Sequence, residues 1–237
     1  MIVEEVRGEY GRCLICDNTD KEFGLTTVTN NFDLCITDPP YNCDYDGKIQ
    51  GTCNNKDKHW YEDNIKDYPA WILNWFPEIR KISKTQLVWP GNMNIGHWYD
   101  YEHPVSWQIH HKPNTQGRTS LFHKENGDMI LMYGKFRHQL DYKGRVNTIP
   151  LNKNSNKEYT HGCPKDPEIY RDLIVRSKAT SCIDPFMGTG TLALICEELG
   201  IRWFGYERDP EAIEDIEKSI RWGQEARKNN TIDPSDW

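Results

Sequence analysis

Five residues, Thr37-Asp38-Pro39-Pro40-Tyr41, combine a carboxylate, two prolines and an aromatic ring directly after the apolar run Phe32-Asp33-Leu34-Cys35-Ile36. A short apolar run halted by prolines predicts a buried strand that must leave its sheet there, because proline has no N–H for the ladder. Beyond it lie a carboxylate, carbonyls no longer paired in the sheet, and a flat ring. In open α/β sheets, ligands bind outside the C-terminal ends of strands. The set suits a planar ring bearing an amino group: the Asp38 carboxylate and the Pro39 carbonyl accept its two N–H hydrogens, and Tyr41 stacks on its face. A nucleobase meets that description, although strand-end prolines and turn aspartates are also ordinary features of loops.

A second constellation is Asp184-Pro185-Phe186-Met187-Gly188-Thr189-Gly190-Thr191. It lies between a predicted strand and a predicted helix, where glycines let a ligand approach the backbone and a helix N-terminus stands behind. Glu207 closes the following strand, in position to accept hydrogen bonds from two ribose hydroxyls. A dinucleotide fingerprint would need a third glycine and a phosphate-binding loop would need Gly-Lys-Ser/Thr; neither occurs. An adenosine-type ligand without a phosphate cradle remains, and S-adenosylmethionine fits.

The elements that must hold these groups read as follows. A first strand is expected over 9–16, a second ends at Asp38, and others lie at 85–89, 105–110 and 128–133. Pro90-Gly91-Asn92 forms a further strand-end loop, on the same edge as Asp38 if the two strands are parallel. Tyr68, Trp71, Ile72, Trp75, Phe76, Ile79 and Ile82 recur at helical spacing behind Asp67 and Pro69, with a kink expected at Pro77. After 167 the chain reads as helix, strand (181–184), glycine turn, helix (189–199), strand (202–206) and helix (209–227). Val105, Trp107 and Ile109 alternate along their strand. The stretch 42–64 is polar and aperiodic, a long loop expected to act as a lid beside the site.

The chain has 237 residues, a net charge of −7 and nine tryptophans, which suits one α/β domain with a sizeable core. No apolar run is long enough for a membrane span and the N-terminus is acidic, so a cytoplasmic protein is expected. Of eight cysteines only Cys13 and Cys16 form a close pair. No metal site is expected from them, and reduced thiols are. The acidic balance argues against bulk electrostatic coating of nucleic acid. Residues 101–160 nevertheless carry nine lysines and arginines against five acids, a local basic face compatible with a phosphate backbone.

Taken together, Asp-Pro-Pro-Tyr, then Asp-Pro-Phe-x-Gly-x-Gly-Thr, then Gly-Tyr-Glu closely resemble the amino-group (N6-adenine/N4-cytosine) DNA methyltransferases. The motif order matches their permuted beta class, and the resemblance spans about residues 9–222. It implies a Rossmann-like α/β fold, with a seven-stranded, mostly parallel sheet and helices on both faces. The single domain of 1–237 would comprise a catalytic half (about 9–134), a short target-recognition segment (about 135–160, with help from 42–64 and 112–124) and a cofactor half (about 161–228). The resemblance gives Asp38, Pro39, Pro40 and Tyr41 the catalytic role. It assigns S-adenosylmethionine to Asp184, Pro185, Phe186, Gly188, Thr189, Gly190 and Thr191, with Glu207 on the ribose, and adds Cys13 and Lys165 to the cofactor set. Two departures stand out. His161-Gly162-Cys163-Pro164-Lys165-Asp166 keeps the family's His and Lys but lacks both of its prolines, and Arg12 stands where an acid is usual.

Double-stranded DNA is the expected partner, with the target base flipped out into the pocket. Adenine is favoured, because family members with Asp at the head of this tetrapeptide mostly act there. Cytosine-N4, RNA and a catalytically silent cofactor-binding subunit are alternatives, a homodimer is left open, and no restriction partner can be read from the chain.

Overall fold

A computed structural model describes residues 3–42, 64–111, 127–135, 147–148, 159 and 165–229. In chain order its strands are β1 (Glu4–Arg7), β2 (Gly11–Ile15), β3 (Phe32–Thr37), β4 (Ser83–Val88), β5 (Ser106–His111), β6 (Gly127–Gly134), β7 (Asn147–Thr148), β8 (Ser181–Asp184) and β9 (Arg202–Glu207). Its α-helices are α1 (Tyr68–Ile82), α2 (Ile95–Tyr101), α3 (Pro167–Ser177), α4 (Thr191–Leu199) and α5 (Ile213–Asn229).

The strands form one sheet in the order β1-β2-β9-β8-β3-β4-β6-β5-β7. From β2 to β4 every pairing is parallel; β1 on β2, β6 on β4 and β5 on β6 are antiparallel, and β7 is parallel to β5. The sheet thus has nine strands where the resemblance implied seven. The additional edge strands carry little pattern. β1 turns only Val6 inward, and β7 is two residues long. The tight turn after β1 is anchored remotely: the N–H groups of Glu9 and Tyr10 donate to the buried Glu197 carboxylate at 3.0 and 2.9 Å.

Helices cover both faces. β3 shows why the chain is so apolar there: Leu34 and Ile36 join the core under α3, α4 and α5, whereas Cys35 joins the core under α1 and α2. Strands buried on both faces cannot alternate with polar residues. On the second face Trp75 and Phe76 of α1 meet Trp98 of α2 edge to face, at 5.9 and 5.2 Å. Asp67 caps α1 by accepting the Ala70 N–H at 3.1 Å, and the helix continues through Pro77 to Ile82. The short helix α2, with only Trp98 buried, was not foreseen. Val105, just before β5, and Trp107 and Ile109 on it do alternate, but they face outward with exposures of 66, 52 and 44%, and it is His110 that is buried. No described helix is long and apolar enough to cross a membrane.

Candidate active site

Because β3, β4, β8 and β9 run parallel, their C-terminal ends share one edge. β8 lies between β3 and β9, which brings Asp38, the Asp184–Thr191 turn and Glu207 together although they are far apart in sequence. The register Ile15↔Glu207 adds the residues that follow β2. Between these ends lies a cavity of about 270 Å³.

At one end of the cavity is the Asp38 corner. Asp38 Oδ1 accepts the Tyr41 hydroxyl at 2.5 Å, and Oδ2 lies 3.1 Å from Lys165 Nζ. Lys165 also donates to the Tyr41 hydroxyl at 2.7 Å and stands over the Tyr41 and Trp89 rings, at 5.2 and 5.6 Å from their centroids. The tetrapeptide is held by its backbone as well. The Pro40 carbonyl accepts from the Tyr68 hydroxyl at 3.0 Å, and the Tyr41 carbonyl accepts from the Asn94 side-chain amide. Gly91 has φ of +67°, and a Cβ there would fall 2.8 Å from Tyr41 Cγ, so glycine is required for both the turn and the ring. Asn42, directly after Tyr41, accepts the N–H of Ile65, 23 positions further along the chain.

The opposite end is built on Asp184, Glu207 and the glycine turn. Asp184 is buried beneath the turn rather than exposed to the cavity; its Oδ1 accepts the Thr37 hydroxyl at 2.6 Å and the Phe186 N–H at 2.9 Å. Burial pushes its carboxyl well up, against the pull of those two bonds. Glu207 Oε2 accepts the Gly188 N–H at 2.7 Å and Oε1 the Asp209 N–H at 2.9 Å, and burial raises its pKa too. Phe186 is wedged between Trp71 and Trp75, at 5.4 and 4.8 Å. Gly190 does not line the cavity. Its φ of +83° and the approach of Ile216 and Ser219, 3.1 Å from a Cβ there, leave room only for glycine.

Of the residues expected from the sequence, Asp38, Pro40, Lys165, Pro185, Phe186, Gly188, Thr189, Thr191 and Glu207 line the cavity. Tyr41 borders it through Asp38, and Pro39 is buried behind. Cys13 is a correction. Its side chain points into the core under α4 and does not reach the cavity. Cys13 lies within β2, which ends at Ile15, and the lining comes from the residues just past that end, Cys16, Asp17, Asn18 and Thr19. Arg12 does not line the cavity either. Arg12 lies out on the sheet, 3.2 Å from Glu5 and over the Phe204 ring, whereas Asp17 is the acid at the strand's end. Asp17 Oδ1 closes the turn by accepting the Thr19 N–H and hydroxyl, and Asn18 donates to the Pro185 carbonyl at 2.9 Å, fastening this turn to the glycine loop. Trp71 and Asn74 of α1 were also missed. For Asp17 the signal was available: an acid immediately past an apolar strand is the same pattern that picked out Asp38.

Cys16 could suggest a nucleophile, but burial, with Asp20 and Asp17 nearby, pushes its thiol up to about 11, so it stays neutral. The described cysteines are free, and the described residues hold no cluster suited to a metal ion. Residues 43–63 of the lid expected at 42–64, the His161–Pro164 portion of the Lys165 motif, all of 112–124 and most of 135–160 fall outside the described residues.

A family model described as DNA methylase matches residues 32–218. The chain belongs to this family. Among curated relatives of this DNA methylase, the type II methyltransferase M.HpaI of Haemophilus parainfluenzae is 28% identical over 85% of the chain and 71% of its own length. M.HinfI of Haemophilus influenzae is 26% identical over 83% of the chain, which spans only 65% of that protein. In fold, the methylase resembles the M1.HpyAVI–SAM complex, with a TM-score of 0.56 at 18% identity, covering 80% of this chain and 89% of that one. It also resembles the PvuII cytosine-N4-specific DNA methyltransferase, with a TM-score of 0.59 at 13% identity and 94% of both chains covered.

The family uses S-adenosylmethionine. The lining fits that ligand: a buried carboxylate at Glu207, hydrogen-bonding groups at Asp17, Asn18 and Thr19, an aromatic face at Phe186, and Gly188, where a Cβ would meet nothing within 4 Å.

Proposed function

We propose that this DNA methylase transfers a methyl group from S-adenosylmethionine to the N6 amino group of an adenine flipped out of double-stranded DNA. The observation that carries the reading is the Asp38 carboxylate, lining the cavity at a strand end and held in place by Tyr41 and Lys165. Glu207 would hold the cofactor's ribose and Phe186 its adenine, with Asp17 and Asn18 as polar partners. When bound, the cofactor supplies an electrophilic methyl on sulfur.

Asp38 does the rest by position. A carboxylate offers about four lone-pair sites, so Asp38 can accept an amino hydrogen while keeping the Tyr41 hydroxyl. Accepting that hydrogen, together with the Pro39 carbonyl, fixes the direction of the nitrogen lone pair, and most of the acceleration comes from this alignment. As the methyl would pass to nitrogen with its S–C bond broken and the sulfur left as a neutral thioether, the nitrogen would have to shed a proton, for which Asp38 is the adjacent acceptor. No protein nucleophile takes part, in keeping with the neutral Cys16 thiol. Tyr41 would contribute stacking worth ~1–3 kcal/mol, as aromatic side chains do for unstacked bases.

The test is incubation with methyl-labelled S-adenosylmethionine and unmethylated duplex DNA, followed by digestion to nucleosides and mass spectrometry. N6-methyladenine is expected from the wild type, and none from Asp38→Ala, with cofactor affinity kept. N4-methylcytosine would retain the mechanism and change the base. An active Asp38→Ala would overturn the role of the carboxylate.

A further inference from the structure

The Asp38 corner contains a residue that neither of the two sequence motifs includes. Asp128, at the start of β6, places its Oδ2 3.7 Å from Lys165 Nζ, which also contacts the Tyr41 hydroxyl and Asp38. β6 runs antiparallel to β4, so its beginning lies at the sheet edge where β4 ends. The loop after β4 grips it there. Asn92 donates to the Gly127 carbonyl at 3.1 Å and accepts the Met129 N–H at 3.4 Å, bracketing Asp128 on both sides. The same loop supplies Gly91 beneath the Tyr41 ring and Asn94 to the Tyr41 carbonyl. One loop therefore sets the relative position of Asp38's partner Tyr41 and of Asp128.

The chemistry of the ammonium gives this a consequence. With its side chain only 15% exposed, Lys165 is a competitor for the acceptor sites that an incoming amino group needs on Asp38. Drawing a poorly solvated cation away from a carboxylate is costly unless another carboxylate takes up its charge. A second carboxylate removes that obstacle. We propose that Asp128 is a positioning residue: it holds Lys165 as the base amino group engages Asp38, so that the catalytic carboxylate is released without stranding the cation. The inference rests on the reading of Asp38 as the amino-group acceptor.

The test uses the full chain and the variants Asp128→Asn, Asp128→Glu, Lys165→Met and the double variant Asp128→Asn/Lys165→Met. Asp128→Asn should lower kcat about tenfold, a fraction of the penalty usual for a misaligned reacting group, with KM for S-adenosylmethionine changed less than about twofold. Asp128→Glu should recover most of the loss, and the double variant should be no slower than Lys165→Met. Equal slowing by Asp128→Asn in both backgrounds, or an Asp128→Asn enzyme within about twofold of wild-type kcat, would overturn the proposal. A readout independent of turnover is acylation of Lys165 by limiting acetic anhydride at pH 9, followed by peptide mass spectrometry. Loss of a neighbouring carboxylate lowers an ammonium pKa, so Asp128→Asn should react several-fold faster; equal rates would refute the pairing. If the wild type transfers no methyl to DNA, the functional reading falls, and the acylation rates alone decide whether Asp128 holds Lys165.

Discussion

Replacing Gly91 by alanine tests the link between backbone conformation and the Asp38 corner. At φ +67° any L-residue bears a steric cost of roughly 1–2 kcal/mol. The new methyl would also meet Tyr41 Cγ, Cβ and Cδ1 at 2.8, 2.9 and 3.0 Å, so the ring must move by several tenths of an ångström to regain ordinary contact. Its hydroxyl is bonded to both Asp38 and Lys165, so the displacement passes directly to the carboxylate. For a chain of this size, the backbone cost alone corresponds to a fall in melting temperature of about 2–8 °C. A sub-ångström misplacement of the reacting group should lower kcat about 10–100-fold. Calorimetric melting, cofactor titration and methyl transfer to duplex DNA measure the three quantities separately, and cofactor affinity should stay within about threefold. Gly96→Ala is the control. Gly96 lies in α2 with nothing within 4 Å of a Cβ, so alanine there should add about 0.5–1 kcal/mol of stability and leave turnover unchanged. A Gly91→Ala protein with wild-type melting and kcat would refute the argument, since neither the strained turn nor the ring contact could then be real.

Two further expectations concern pH and have opposite signs. Asp184 is pushed up by burial, so the folded state binds more protons than the unfolded state; its contribution is complete at acid pH and is lost as pH rises above the ordinary carboxylate range. Asp184→Asn should therefore flatten the decline of the urea midpoint from about pH 4 to 8, and an unchanged slope would contradict it. Asp33 behaves inversely. Partial burial raises its pKa, but Lys84 at 2.7 Å and two hydrogen bonds from Thr180 outweigh this and hold the carboxyl well below the usual range. Asp33→Asn should weaken the protein at neutral pH, and its deficit against the wild type should shrink as pH falls below about 4; a deficit constant with pH would count against the ion pair.

What could be read from the sequence was whatever depends on local chemistry. Two prolines end a strand wherever they occur, so β3 and the position of Asp38 were legible, and so was the parallel placement of the Pro90-Gly91-Asn92 loop once β4 was recognised. Glu207 was legible because it closes a strand after a glycine turn. The failures lie where tertiary register decides. Cys13 and Cys16 differ by three positions on or just past one strand, and only the actual length of β2 shows that the first faces the core and the second the cavity. The resemblance placed Lys165 in the cofactor set and it does line the cavity, but its contacts with Asp38, Tyr41 and Asp128, 37 or more positions away in the chain, had no sequence signal. The edge strand β1 buries only Val6 and β7 is two residues long, too little for a periodic trace, and on β5 regular alternation marked a strand while giving no sign that its apolar face is the exposed one.

The bond between Asn42 and Ile65 has a consequence for how this protein can change over generations. It pins the departure and the return of the chain to a single point at the rim of the cavity, 23 positions apart. Closing a chain between two such fixed points costs an entropy that grows by only about 0.6 kcal/mol for each doubling of its length. The number of residues between Asn42 and Ile65 can therefore change at small entropic cost while the junction itself and the described strand pairings stay as they are. A lineage could lengthen or shorten that stretch while the Asp38 carboxylate stays where the two prolines put it.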